Sequence, residues 1–228
     1  MEEESSLIRY HKLRASHPEL FENPPGCLTR IVFDADEIRQ AKAEVLAERT
    51  AAGWPTDDLR VGVLAADPYI GYVIRDAVKF HGGKHGLYNR VVTAGGVIAL
   101  PILPEGIALV RIFRHSTRRW FLEAPQGFLY PGADPEEQVR KELAEEMEAV
   151  VRSLTPLGSL YTNTAMTNER LAMFAAKIEA YGAPQISEGI SSIHVIAKDD
   201  IDRQILDGEI CDGATITTIF QARLRGLI

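Results

Sequence analysis

The stretch EAPQGFLYPGADPEEQVRKELAEEMEAV, residues 123–150, decides how this chain is read. Asp134 is placed to cap a helix, Pro135 suits its first position, and Glu137 completes a capping-box-like pattern, so the spacing predicts a helix over about 135–152. Within it Glu142, Glu145 and Glu146 stand at i, i+3 and i+4, which puts three carboxylates on one face. Leu143, Met147 and Val150 form the apolar face and are expected in the core. Clustered anions repel unless a cation lies over them. Spacing alone favours a solvated acidic face with Arg140 and Lys141 as partners. The alternative is a hard divalent ion such as Mg²⁺ or Mn²⁺, which prefers carboxylate oxygen.

On the N-terminal side, residues 59–128 break into short β-rich runs with Gly and Pro between them. VGVLAA, YIGYVIRDAVKF, YNRVVTAGGVIALPIL, IALVRIF and RWFLEA read as five strands, with HGGKHG as the turn joining the second and third. On the C-terminal side LGSLYTN, RLAMFAAKIE and SSIHVIA read as strands. DDIDRQILDG reads as a short helix with an Asp N-cap and a Gly stop, and GATITTIFQARLRGLI as a terminal helix. The first 60 residues differ in character, with a helix at 36–52 ended by Gly53, Trp54 and Pro55. Mostly antiparallel strands around helices predict an α+β sandwich rather than a doubly wound sheet. No internal repeat, GxGxxG or P-loop pattern is present.

The 228 residues suffice for one large domain, or for a core domain with an N-terminal extension. A net charge of −7 argues against the nucleic-acid backbone as main partner but leaves room for a small phosphorylated ligand. Cys27 and Cys211 form no CxxC pair, which points to a reducing compartment. The acidic N-terminus lacks the apolar run of a signal peptide, and no segment has the length of a membrane span, so a cytoplasmic location is expected. His115 and His194 lack ligand-like partners and read as packing or surface residues. Tyr88, Trp120 and Phe128 read as core rather than as base-stacking groups, and Cys211 has no paired His to make it a nucleophile.

Read with its approach, the 123–150 stretch resembles the Nudix box, G-x5-E-x7-R-E-U-x-E-E-x-G-U, where U is aliphatic. Gly127 matches the first glycine, and Lys141, Glu142, Leu143, Glu145 and Glu146 fall where the family has R-E-U-x-E-E. Three positions depart: Ala133 replaces the first Glu, Lys141 the Arg, and Glu148 the last Gly. Asp134 and Arg140, one residue from the first two, offer a substitute pair. Glu148 implies that the helix runs on towards Arg152.

Around the box, residues 72–226 resemble the ADP-ribose pyrophosphatase branch of that superfamily. VIRDAVKFHGGKHGLYNRVV is similar to its hairpin ending in an Arg, here Arg90, and RIFRHSTRRWFLEAPQG to its approach strand, with Arg114 in the Arg position and Gln126 in place of Ala. YTNTAMTNERLAMFAAKI lacks the branch's Pro and Gly but keeps Glu169, and ISEGISSIHVI matches its acidic loop and strand.

The resemblance implies a Nudix-type α/β/α sandwich of mixed, largely antiparallel sheets over residues 61–228, preceded by a partly helical extension over 1–60. It implies hydrolysis of the diphosphate of ADP-ribose, or of a related nucleoside diphosphate sugar, to AMP and a sugar phosphate. Glu142, Glu145 and Glu146, with the carbonyl of Gln126, would ligate two or three Mg²⁺ or Mn²⁺ ions. Glu145, Glu146 and Glu188 would serve catalysis, with Glu188 on a flexible loop as general base. Arg114 and Arg90 would contact the substrate, and Glu123 would orient a neighbouring Arg. The branch also implies a homodimer, with the strands at about 61–95, Tyr69–Val78 among them, at the interface. Two alternatives stay open. The changes at Ala133, Lys141 and Glu148 fit a weak or inactive nucleotide-binding module; the other alternative keeps the enzyme with a dinucleoside polyphosphate or a coenzyme diphosphate as substrate, although the Arg114 approach strand favours the ADP-ribose type.

Overall fold

The computed structural model describes residues 2–228, and the chain divides into two compact units. The first takes in the chain through Thr93 together with Ala165–Asn168; the second comprises Ala94–Thr164 and Glu169–Ile228.

In the first unit, helices α1 (Glu2–Ser16) and α2 (Ala35–Ala52) accompany strands β1 (Thr29–Ile31), β2 (Gly62–Asp67), β3 (Gly71–Phe80) and β4 (His85–Val92). All pairings are antiparallel, with β3 central between β4 on one edge and β1 and β2 on the other. The predicted helix at 36–52 is α2, capped by Asp34 and ended by Gly53 in the left-handed conformation (φ 69°). Composition alone did not reveal α1, whose Ser6, Tyr10 and Leu13 are buried at helical spacing. Its Tyr10 hydroxyl bonds Asp76, and Arg90 Nε bonds the same carboxylate at 2.6 Å.

The second unit is built on a seven-stranded sheet of β5 (Gly95–Leu103), β6 (Gly106–Arg114), β7 (Arg119–Glu123), β8 (Gln126–Leu129), β9 (Val150–Tyr161), β10 (Arg170–Ala180) and β11 (Ile190–Ala197). Every pairing is antiparallel except β5 with β10. Helix α3 (Pro135–Met147) covers one face, and α4 (Ile201–Leu206) and α5 (Gly213–Leu224) the other. The period-2 alternation of strands explains the sorting. Ile98, Leu100 and Ile102 of β5 pack with Ile201 and Ile219, whereas Val97 and Ala99 pack with Val139, Leu143 and Met147 of α3. A strand buried on both faces reads as one apolar run, as GGVIALPIL does. The expected α+β sandwich is present.

Three local expectations are corrected. The run YNRVVTAGGVIALPIL is two strands, β4 and β5, separated at Thr93–Ala94, where the two units also divide. Helix α3 stops at Met147 instead of running to 152, because Glu148 turns into the left-handed region (φ 50°) and the β-branched Val150–Val151 opens β9. Val150 is accordingly exposed and leaves the core face to Val139, Leu143 and Met147. At α4, Asp200 makes no side-chain cap; its carboxylate bonds Arg203 instead.

Candidate active site

Helix α3 carries the acidic cluster on a well-anchored frame. Asp134 Oδ1 accepts the N–H groups of Glu136 (2.8 Å) and Glu137 (3.1 Å), and Pro135 follows it at the first turn. Asp134 is therefore a helix cap. Val139, Leu143 and Met147 fix the helix against the sheet; burying each such side chain stabilises the fold by about 2 kcal/mol. The adjoining stripe of the helix brings Glu142 and Glu146 toward the rim of a cleft of about 480 Å³, which Arg114, Gly127, Glu145 and Glu188 also line.

The three glutamates of α3 have different surroundings. Glu145 is exposed and lies 3.8 Å from Lys141 Nζ, so the Lys of the box belongs to a solvated i, i+4 pair. Glu142 is half-buried, and Gln138, one turn before it, donates Nε2–H to its Oε1 at 2.5 Å. Glu146 is 3% exposed. Its carboxylate accepts the backbone N–H of Gln126, and its Oε2 is buried without a hydrogen-bond partner. Burial, then the nearby Glu142 and Glu188, push the Glu146 carboxyl up to about 8, against the opposing pull of Arg114 and of that N–H. Burial, with Glu145 and Glu188, also raises Glu142.

Gly127 is required beneath these groups. A Cβ on it would lie 2.1 Å from both Cδ and Oε1 of Glu142, so glycine here leaves the space that the Glu142 carboxylate fills. The neighbouring floor is a polar brace. Glu123 is buried; its Oε2 accepts Arg114 Nε–H (2.9 Å), a second Arg114 N–H, and Gln126 Nε2–H (2.7 Å). Glu123 thus holds Arg114 by an ion pair. Burial acts to lower the Arg114 pKa, but the bonds to Glu123 outweigh it and raise it overall. The EAPQG segment is held from the opposite face too. Ala124 N–H donates to Thr215 Oγ1 (3.0 Å), whose hydroxyl donates to Asp212 Oδ2 (2.7 Å) at the start of α5.

Glu142, Glu145, Glu146, Glu188, Gln126 and Arg114 are thus gathered in one cleft, with Glu123 buried behind Arg114. Arg90 belongs to the first unit, where Asp76 and the ring of Phe21 occupy its guanidinium. Tyr88, Trp120 and Phe128 are each at least 40% exposed, correcting the core reading: Trp120 packs edge-on against Phe113, and Phe128 lines the cleft. Sequence reasoning missed Gln138 and Thr215. The i, i+4 spacing of Gln138 and Glu142 was a usable clue; Thr215, 91 residues from its partner Ala124, left none.

The donors fit a hard divalent cation. A buried, unpartnered carboxylate oxygen beside a second carboxylate is costly without a positive charge, and the one lysine of the cluster sits with Glu145. Among the described residues no three acidic, His or Cys side chains already form a closed ligand cluster, so the fit rests on donor chemistry and on the orphaned oxygen.

The model of the NUDIX domain matches residues 92–212, a stretch that contains the whole cleft and begins beside the boundary between the two units. The chain belongs to the NUDIX domain family. Its NUDIX domain is similar to the ADP-ribose pyrophosphatase of Bacillus subtilis (strain 168), with 32% identity over 101 residues, 44% of this chain and 55% of that protein. A similar protein of the same description, from Haemophilus influenzae, is 25% identical over 155 residues, 60% of this chain and 71% of the relative. The chain thus spans about half the length of the first of these relatives. A crystal structure of an ADP compounds hydrolase superposes with a TM-score of 0.65 at 18% identity, covering 75% of this chain and 95% of that one, and shares the fold.

Proposed function

We propose that this NUDIX domain hydrolyses the diphosphate linkage of ADP-ribose or a related nucleoside diphosphate sugar, in a metal-dependent reaction. The observation that carries the reading is Glu146 Oε2, buried and unpartnered beside Glu142 in a cleft that also presents a guanidinium and a loop carboxylate. The similarity to two proteins described as ADP-ribose pyrophosphatases supports the choice of substrate.

Glu142, Glu145 and Glu146, with the Gln126 carbonyl, would hold Mg²⁺ or Mn²⁺, two or three ions with substrate. Bound there, the metal supplies neutralising charge to the diphosphate and a lowered pKa to water. Glu146 and Glu142 remain as carboxylates under that charge. Arg114, held by Glu123, presents its outer N–H groups to phosphate oxygen, and its fork geometry suits that contact. Glu188 takes the proton of the attacking water. The new bond forms from water oxygen to one phosphorus, the bond from that phosphorus to the bridging oxygen breaks, and two phosphomonoesters leave: AMP and ribose 5-phosphate from ADP-ribose.

Arg90, held by Asp76 through Nε and one terminal nitrogen, keeps its remaining N–H groups for the substrate contact in this reading. We also propose a cytoplasmic homodimer that uses the strand-rich 61–95 region, where Tyr69 and Ile70 are exposed. No helix among the described residues is long and apolar enough to cross a membrane.

The test is incubation of the purified protein with Mg²⁺ and a panel of nucleoside diphosphate compounds, beside Glu146→Gln. The reading expects turnover by wild type, greatest on ADP-ribose-like compounds, and a loss of about 100-fold or more in Glu146→Gln. No turnover of any panel member sinks the activity, and unchanged turnover in Glu146→Gln sinks the site.

A further inference from the structure

Glu148 follows the last residue of α3 and takes φ 50°, a left-handed conformation that strains an L-residue and that glycine adopts freely. Strain of this kind persists where the surroundings hold it, and it marks places to look for a role. The side chain has one. Its Oε2 accepts the backbone N–H of Ala183 at 3.2 Å, and the chain lies directly over Gly182. A Cβ on Gly182 would fall 2.0 Å from Glu148 Oε2 and 2.9 Å from Glu148 Cβ, so Gly182 leaves the space that the carboxylate fills. Two backbone bonds reinforce this contact: Gly182 N–H to Met147 O (2.9 Å) and Gln185 N–H to Glu146 O (3.1 Å). The segment then makes a single 3-10 turn, Ile186–Glu188, which brings Glu188 to the cleft.

We propose that Glu148 is a positioning residue, clasping the 182–188 segment to the end of α3 so that Glu188 faces the carboxylates of that helix. The role of Glu188 rests on the function proposed above; the clasp rests on the contacts alone. Helix α3 supplies Glu142 and Glu146, and its last turn anchors, through Glu146 O, Met147 O and Glu148 Oε2, the segment bearing the opposing carboxylate. One short stretch of chain therefore sets both sides of the cleft. A glycine substituted for Glu148 would relax the backbone and remove the side-chain third of that anchor.

This separates positioning from stability, because relief of strain and loss of the clasp act in opposite directions on folding but not on the loop. The experiment compares Glu148→Gly, Glu148→Gln, Gly182→Ala and the double variant Glu148→Gly/Gly182→Ala. It measures thermal midpoint, amide hydrogen exchange over 183–188, and kcat and KM on the substrate that wild type turns over best. Glu148→Gly is expected to melt at or above the wild-type temperature, to lose about tenfold in protection at Ala183 and Gln185, and to lose kcat with KM little changed. Glu148→Gln keeps an acceptor oxygen and restores protection and kcat. Gly182→Ala lowers the melting temperature when Glu148 is present and is tolerated in the Glu148→Gly background, where the colliding carboxylate is gone. Wild-type protection in Glu148→Gly overturns the proposal, as does a melting temperature that falls in step with activity, or equal damage by Gly182→Ala in both backgrounds. If wild type hydrolyses nothing, the proposed activity fails, while exchange and the Gly182→Ala pair still decide the clasp.

Discussion

Gly127 of β8 lies so close under Glu142 of α3 that a β-carbon there would stand 2.1 Å from the Glu142 carboxylate. The Glu142 carboxylate rests directly on the Gly127 backbone, in the space a side chain there would need, and the acidic cluster is held over the strand end that carries Gln126. Gly127→Ala is therefore expected to displace Glu142 rather than merely crowd it. The loss of activity should be about 100-fold, with a destabilisation of about 1–3 kcal/mol from overpacking. Parallel denaturant melts and initial rates check both; a Gly127→Ala enzyme of wild-type rate contradicts the close approach.

Glu146 gives the metal-free protein a pH dependence of definite sign. Its carboxyl is raised from 4.5 to about 8 in the folded state, so in that window the folded protein holds a proton that the unfolded chain has released. Stability from this group is full below pH 4.5 and is lost as pH rises through about 8, at up to roughly 1.4 kcal/mol per pH unit. In chelator, Glu146→Gln should remove this decline and gain on wild type from pH 5 to pH 8. Urea melts at the two pH values measure it, and parallel profiles for the two proteins refute it.

Arg114 and Glu123 predict a combined stability and binding defect. Arg114→Ala leaves the buried Glu123 with only Gln126 as its side-chain partner, and about 2 kcal/mol of stability should go, less than for a fully enclosed pair because the arginine is 35% exposed. KM should rise as well, since the guanidinium faces the cleft. Arg114→Lys restores part of the stability and little of the binding, because an ammonium cannot reproduce the fork. Melts and steady-state kinetics on the two variants distinguish the effects.

Thr215 holds the EAPQG segment from the far face of the sheet. Thr215→Val keeps the shape but removes the acceptor of Ala124 N–H, stranding a buried donor at a cost of about 1–3 kcal/mol. Thr215→Ser should recover most of it. A valine variant as stable as wild type contradicts the assignment.

What the sequence disclosed follows from the range of the interactions involved. The Asp134 cap with Pro135 and the helix that carries Glu142, Glu145 and Glu146 are local patterns, and both appear in the structure as read, whereas the run taken as one strand divides into β4 and β5. The end of α3 was misplaced because Glu148 is held left-handed by Gly182 and Ala183, more than 30 residues on. Thr215 was missed for the same reason. Glu145 and Glu146 look alike in the sequence, yet one is solvated beside Lys141 and the other is buried, a difference set by how the helix docks. Tyr88, Trp120 and Phe128 looked like core because large aromatics favour burial on average; which strand positions stay uncovered is set by tertiary packing, and Tyr88, in the middle of β4, gives its hydroxyl hydrogen to the carbonyl of Ala165, 77 residues on.

The central claim is that the buried carboxylates of α3 hold a divalent ion, and calorimetric titration of the chelator-treated protein with Mn²⁺ near pH 7 tests it most directly. The account predicts saturable binding by wild type accompanied by proton release, since Glu146 must give up its proton to coordinate, and loss of both in Glu146→Gln. A wild-type protein that takes up no Mn²⁺, or a Glu146→Gln protein that binds it as well as wild type, contradicts the claim.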